Sequence, residues 1–297
     1  MSKTSIAIIM TVFNRIEKTS KCIDSILAEN VDDSFLLSFY ITNDGSTDKT
    51  QEVLTQYKTR FPNVSFNVLM GNGSLFWNKG MFLAYGEALK NNVDYYLWVN
   101  NDVIFRKGFL QAIINDALEA KKTHTLSIIC GSVSKIGSDE WSYGGTKNLS
   151  NVNPYKRKVI IPNGHIQECD CVNGNCLLIP YETAICVGNI EERYEHGFGD
   201  FDYGYKLKSQ GGKNFVASEY VGYCDRNTDL GTWKDPSVPF IERIKKKNKP
   251  NGQPYKSHKL FLKKWFPKLW LYYLWKPYVG IVLSSLKYGI RKKNIKQ

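Results

Sequence analysis

The sequence lacks a secretory leader pattern: Met1–Thr4 is polar, and the apolar run Ser5–Val12 is too short and too strand-like for an h-region. Its C-terminal part also lacks a bilayer-spanning run. The longest uncharged stretch there, Pro277–Leu286, is too short to span. The seven cysteines (Cys22, Cys130, Cys169, Cys171, Cys176, Cys186 and Cys224) are odd in number and scattered. Cys169, Cys171 and Cys176 have no second matching pair, so a structural zinc site is not expected. Free thiols in a reducing cytoplasm are the expected setting. No internal repeat is present, and no glycine-rich, basic triphosphate loop follows the first apolar run.

Acidic residues are also missing from one region. Residues 241–297 carry sixteen Lys/Arg against one acid, Glu242, a net +15. The whole chain carries +12, so residues 1–240 carry −3. A near-neutral body with a basic tail suggests contact with a phosphate-bearing surface. Charge alone could suggest nucleic acid. However, the charge lies outside the motif-bearing body and no RNA-binding signature appears, so no nucleic-acid partner is expected.

With 297 residues, 42% of them hydrophobic, the chain can build one large domain and an appendage. Ser5–Val12, Phe35–Thr42, Val64–Leu69 and Tyr95–Val99 read as strands. Arg15–Glu29, Asp48–Tyr57, Asn78–Lys90 and Phe109–Ala120 read as helices. That alternation predicts βαβ units, a mostly parallel sheet and an α/β fold. Ligands then bind beyond the carboxyl ends of the strands. Trp141–Pro162, rich in Gly, Asn, Ser and Pro, reads as a mobile loop region. Cys171–Pro180 reads as a strand and Asp200–Ser209 as a helix. The composition shifts after Asp235, which sets the expected boundary: a catalytic body over 1–235 (nucleotide-binding half 1–105, acceptor-binding half 106–235) and a basic, aromatic-rich helical extension over 236–297.

Four polar groups follow strands or open helices. Thr11-Val12-Phe13-Asn14-Arg15 and Asn43-Asp44-Gly45-Ser46-Thr47-Asp48 follow the first two strands and share one sheet edge. Their amides and carboxylates can bind a nucleobase and ribose. Taken alone, Asp48 reads as an N-cap and Asp44 as a turn residue. Asn100-Asn101-Asp102 closes the fourth strand. Asn100 and Asp102 can face one side and hold Mg²⁺ or Mn²⁺, or the triplet can simply cap the next helix. In Gly197-Phe198-Gly199-Asp200-Phe201-Asp202, two carboxylates open a helix. Its dipole would hold Asp200 ionised, ready to take a proton from a sugar hydroxyl. Asp202 reads as a solvated, structural member.

Together, TVFNR at 11–15, NDGSTD at 43–48, NND at 100–102 and GDFDYGYKLKSQG at 199–211 resemble family 2 glycosyltransferases, over roughly residues 5–235. GNGSLFWNKGM at 71–81, VGYCDRN at 221–227 and GTW at 231–233 resemble the branch containing rhamnosyl- and other bacterial surface-polysaccharide transferases. The resemblance implies a GT-A fold and inverting transfer of a hexose or deoxyhexose from a nucleotide-sugar donor to an acceptor hydroxyl, in capsule or O-antigen synthesis. It implies that Thr11, Phe13, Asn14, Asp44, Gly73, Asn78 and Asn101 line the donor site. Asp102, with Asn100, would be the metal-binding element for Mg²⁺ or Mn²⁺, and Asp200 the general base. His196 is the rival base. Trp141, Asn173, Gly174 and Trp233 are acceptor-side candidates, for a glycan or lipid-linked glycan.

Two departures stand out. Gly199 occupies the place of the first acid in the family's Glu-Asp pair. No histidine lies near Tyr223–Asp225, where many relatives carry a metal ligand, and Asp225 is the available substitute. The competing readings are a sugar-nucleotidyltransferase and a catalytically degenerate protein that binds nucleotide sugars.

The tail holds ten aromatics among its lysines. That combination predicts a cytoplasmic protein held peripherally on an anionic membrane surface through 241–297, by in-plane helices around Leu260–Trp275 and Tyr278–Ile290. The alternative is that these aromatics complete the core of the catalytic body or form a subunit interface.

Overall fold

Both faces of the first strand are apolar, so it is a strand buried on two sides, as parallel sheets require. It forms β1 (Thr4–Val12): Ile6, Ile8, Met10 and Val12 enter one core, and Ala7 and Ile9 enter the other. A computed structural model describes residues 3–30 and 34–294. After β1 come α1 (Ile16–Leu27), β2 (Phe35–Asn43), α2 (Thr50–Arg60), β3 (Ser65–Met70), α3 (Phe76–Ala88), β4 (Tyr95–Val99), β5 (Ile104–Phe105), α4 (Phe109–Lys121) and β6 (Ser127–Ser134). Then follow β7 (Trp141–Tyr143), β8 (Thr146–Asn148), β9 (Arg157–Val159), β10 (Gln167–Cys169), β11 (Cys176–Pro180), α5 (Tyr181–Val187), α6 (Gly199–Ser209) and β12 (Lys213–Tyr223). The extension supplies α7 (Phe240–Lys247), α8 (Tyr255–Trp265) and α9 (Trp270–Asn294).

The main sheet runs β10-β12-β6-β11-β4-β1-β2-β3, with β5 beside β12 and β7 beside β6. β1 to β4 are parallel, whereas β11 is antiparallel to both of its neighbours, β4 and β6. The chain walks outward through β2 and β3, then returns to lay β4 on the other side of β1. That reversal opens a crevice at the carboxyl ends of β1 and β4.

The segment 141–162, expected to be mobile loop, instead holds β7 and the β8–β9 hairpin, whose three-residue strands are too short to register in a sequence window. Cys171–Pro180 is strand only from Cys176. The stretch before it is a loop that carries Gly174 toward the crevice. β6 and β12 had no sequence signal. β6 is SIICGSVS, fully buried in spite of three serines and a glycine, because it sits in the middle of the sheet.

The extension is helical as expected, but the break between its last two helices falls at residues 266–269 rather than after Trp275. α9 runs through Pro277, which removes one backbone donor without ending the helix. Tyr273 and Leu274 are buried before the proline and Ile281 after it, so packing holds both halves in line. Phe261, Leu262, Phe266, Tyr273 and Leu274 share a core with Tyr194, and Phe198, Phe201 and Tyr205 pack against it. Phe261, Phe266 and Tyr273 therefore complete the core next to α6, whereas Tyr272 and Trp275 stay exposed. Among the described residues no helix is long and apolar enough to cross a membrane. Residues 1–2, and 295–297 of the basic tail, lie outside the described residues.

Candidate functional site

Where β1 ends, the backbone turns at Asn14, whose φ of 48° is left-handed. Its side-chain oxygen accepts hydrogen bonds from the Thr47 and Asp48 backbone amides at 2.7 and 3.3 Å. Asp48 in turn accepts from the Ile16 amide at 3.2 Å, at the start of α1. Asn14 and Asp48 thus fasten the turns after β1 and β2 together. Asn14 was expected to contact the nucleotide, but its amide oxygen serves the turn instead.

Asp44 borders the crevice as expected, and it serves the backbone too. It is buried, and its carboxylate accepts from the backbone amides of Gly73 (2.9 Å), Leu75 (3.0 Å) and Phe76 (2.9 Å). It cradles the loop that leads into α3, leaving its oxygens engaged rather than free for a ribose. That loop holds Gly73 at φ 83° and Phe76 at φ 55°, a strained value for a bulky residue. Asn78 is 0% exposed and does not reach the crevice. Its side-chain amide donates to the carbonyls of Glu191 (2.7 Å) and Tyr194 (3.1 Å), tying α3 to the loop before α6.

Trp77 joins the two halves of the site. Its indole Nε1 donates to Asn100 Oδ1 at 2.7 Å, its backbone N–H donates to His196 Nδ1 at 3.3 Å, and its carbonyl accepts from Thr11 Oγ1 at 3.4 Å. The ring lies against Gly174, where a Cβ would come within 2.4 Å of the indole, so only glycine fits there. The Gly174 amide donates to Asp200 Oδ2 at 3.2 Å, and the Phe201 amide donates to Oδ1 at 2.8 Å. These bonds favour the carboxylate, yet burial outweighs them and moves the Asp200 carboxyl above its ordinary 3.8. Burial thus opposes the helix dipole, which by itself favours the ionised carboxylate. Asp202 is not solvated: it is 1% exposed and accepts from Tyr194 Oη (2.9 Å), Lys264 Nζ (2.9 Å) and Trp265 Nε1 (2.7 Å). It anchors the extension.

The result is one cleft in two lobes, of about 190 and 250 Å³. Thr11, Arg15, Trp77, Asn101 and His196 line both. Phe13, Asp44, Gly73 and Phe76 border the first lobe alone. Asn100, Asp102, Gly174, Asp200 and Asn227 border the second. Asn173 sits beside Gly174, where its Oδ1 accepts from the Asn175 amide at 3.0 Å. Trp141 and Trp233 do not line the cleft. The Trp141 ring packs under Arg226, and the Trp233 carbonyl accepts from Arg243. A wider groove of about 480 Å³ lies at the opposite sheet edge, where Asp94 binds Ser5 and Lys121 pairs with Glu182.

Sequence reasoning had not singled out Arg15, Trp77 or Asn227. Arg15 was legible as the last residue of TVFNR. Trp77 and Asn227 were legible only as letters of GNGSLFWNKGM and VGYCDRN, since their roles depend on contacts across the fold.

The donors at the end of β4 decide whether the expected divalent ion fits. Asn100 already uses both ends of its amide, accepting from Trp77 and donating to Asn175 Oδ1. Asp225 accepts from the Ile136 amide at 3.1 Å and lies outside the cleft lining. Asp102 remains, with the Arg15 guanidinium 3.3 Å from its Oδ2. Among the described residues no three His, Cys, Asp or Glu side chains cluster as a metal site. A second cation would have to share one carboxylate with a guanidinium, so this donor set does not fit the ion expected from the sequence.

The profile of glycosyl transferase family 2 matches residues 7–179, more than half of the chain. The chain belongs to that family. No curated protein matches it. Among solved structures it is similar to the mannosyltransferase PcManGT from Pyrobaculum calidifontis in complex with GDP-Man and Mn²⁺, at 11% identity and TM-score 0.56, covering 95% of this chain and 74% of that one. It is also similar to GalNAc-T7 with UDP, GalNAc and Mn²⁺, at 13% identity and TM-score 0.57, covering 90% of this chain and 57% of the other, little more than half its length. S. aureus TarS 1-349 aligns at 13% identity and TM-score 0.52, covering 90% of this chain and 71% of that one. At these identities the likeness establishes the fold alone, and that fold is the GT-A fold. Before Asp200 this family 2 member carries Gly199, where a Cβ would stand 1.8 Å from Asn78 Oδ1, so a side chain there requires Asn78 to shift.

Proposed function

We propose that this family 2 member is an inverting glycosyltransferase that moves a hexose or deoxyhexose from a nucleoside diphosphate sugar to an acceptor hydroxyl. The observation that carries this reading is the continuity of the cleft. Its two adjoining lobes share Thr11, Arg15, Trp77, Asn101 and His196 and together reach from the turns after β1 and β2 to Asp200 at the start of α6. Thr11, Phe13, Gly73 and Asn101 line the donor lobe. Asp200 takes the proton from the acceptor hydroxyl. The freed oxygen attacks the anomeric carbon as the bond to the diphosphate oxygen breaks and its electron pair leaves with the nucleoside diphosphate. A carboxyl raised by burial is a stronger base once ionised, which suits this role. His196 is disfavoured as the base because its Nδ1 already accepts the Trp77 N–H, which leaves the proton on Nε2. Gly174, which borders the same lobe as Asp200, is the acceptor-side candidate, while Asn173 does not line that lobe.

The test is turnover against a panel of UDP-, GDP-, dTDP- and CMP-sugars, with the anomeric configuration of the product read by NMR. Inversion supports the reading. Retention, or the absence of transfer from any donor that binds, contradicts it.

The proposed acceptor is a lipid-linked glycan at an anionic membrane surface, in bacterial surface-polysaccharide synthesis. α9 exposes Leu271, Tyr272, Trp275, Val279, Leu283 and Leu286, while Lys268, Lys276 and Lys287 stand exposed around them. An apolar stripe bordered by lysines complements anionic headgroups. Because α9 also shares the core, the informative variants are on its outer face. Trp275→Glu with Leu283→Glu should release the full chain from anionic vesicles while leaving its melting temperature intact. Salt should weaken wild-type binding. A wild-type chain that ignores such vesicles, or self-associates through this face, contradicts the membrane reading.

A further inference from the structure

The departing nucleoside diphosphate carries more than one negative charge, and the site must balance it. The sequence pointed to a divalent ion for this, yet the donors at the carboxyl end of β4 are largely committed. Among the described residues the cleft holds one cation of its own, and it borders both lobes. Arg15 caps the N-terminus of α1, and its side chain is 51% exposed. Asp102 takes a single contact from it, Nη1 to Oδ2 at 3.3 Å, which orients the fork and leaves the other guanidinium N–H groups available. A guanidinium so placed matches two phosphate oxygens at once.

His196 faces the same space. Its ring stands edge-on to Phe76, and its Nδ1 accepts the Trp77 N–H. The remaining ring nitrogen, Nε2, therefore carries hydrogen and is a donor. Burial first, and the Arg15 charge second, push its proton affinity below the ordinary 6.5, so the ring is neutral near pH 7. A neutral donor and a fixed cation, on two different elements, converge on a region between the donor lobe and Asp200.

We propose that Arg15, oriented by Asp102, is the cation that binds the donor diphosphate in place of a divalent ion, and that His196 Nε2–H is its partner donor. This rests on the reading of the cleft as a donor site. As the bond between the anomeric carbon and the diphosphate oxygen breaks, that oxygen keeps the electron pair. Both groups hydrogen-bond the departing anion, and no proton changes hands.

Calorimetry on the EDTA-treated full chain tests this without turnover, with inorganic pyrophosphate as the probe, then UDP, GDP and dTDP. Pyrophosphate should bind without metal, and Mn²⁺ should change the affinity little. Arg15→Gln should weaken binding by about ten- to a hundredfold, the size of a lost charged hydrogen bond. Arg15→Lys should recover part of that loss. Side-chain ¹⁵N NMR should show His196 protonated at Nε2 in the free protein. Binding that requires Mn²⁺ and is indifferent to Arg15→Gln overturns the inference while leaving the donor-site reading intact. Binding of neither pyrophosphate nor any of the three nucleotides, with or without Mn²⁺, overturns both.

Discussion

The ring of Phe198 lies parallel to the imidazole of His258, with 2° between planes and centroids 5.7 Å apart. Phe198 is the left-handed residue, φ 80°, that precedes α6 and stands two positions before Asp200. Phe261 of α8 stacks on it at 4.9 Å. A strained residue beside the proposed base is thus held by the extension, as strain at functional sites generally must be.

Phe261→Ala should therefore lower the unfolding free energy by about 3–5 kcal/mol, the range for a buried Phe cut to Ala. A chain ending at residue 239 should lose its cooperative melt. If that shortened chain melts like the full one, the extension is an appendage and this packing account fails.

The His258 side chain is fully buried, with Nε2 2.7 Å from Tyr155 Oη and its ring on Phe198. Burial, with Lys247 nearby, pushes it from 6.5 down to about 3. The unfolded chain thus binds a proton here that the folded chain refuses, so stability is full above about 6.5 and falls as the pH drops toward 3. Denaturant melts between pH 7 and 4 should show this slope, and His258→Phe should flatten it. Equal slopes in both proteins would remove His258 as the cause.

Asp200 has the opposite sign. Its folded carboxyl is raised, so the folded state holds the proton more tightly than the unfolded one, and the ionised, buried group costs stability at neutral pH. Asp200→Asn should melt higher than wild type near pH 7, with the difference shrinking in acid. The acid limb of kcat/KM should lie above the ordinary carboxylate value of 3.8. A limb at or below that value would contradict the burial account.

Adding one methyl at Gly199 tests the steric constraint there. Gly199→Ala should cost about 1–3 kcal/mol through overpacking against Asn78. In the Asn78→Ala background it should cost less, with a coupling of about 0.5–3 kcal/mol between the two positions. Strict additivity would show that Asn78 is not what excludes a side chain there.

The parts of the fold legible in the sequence are those whose signal is local. β1 to β4 and α1 to α4 repeat apolar runs and helical spacings, and their order alone places the cleft. β6 and β12 were not legible, because burial in mid-sheet lets serine and glycine stand where propensity disfavours them. The site was legible as positions more than as partners. Asp44, Asn14 and Asn78 are polar residues near the cleft whose side chains serve backbone groups 29 or more residues away. No motif shows that choice. Arg15 was visible as a motif letter, but its pairing with Asp102 needs the return of the chain to β4.

The most direct test of the central claim compares Asp200→Asn with wild type on whichever nucleotide sugar the wild type transfers. Donor binding should be retained, and transfer should fall by about 10²–10⁴-fold. Near-normal turnover by Asp200→Asn, together with its loss in His196→Ala, would contradict the assignment and make His196 the base.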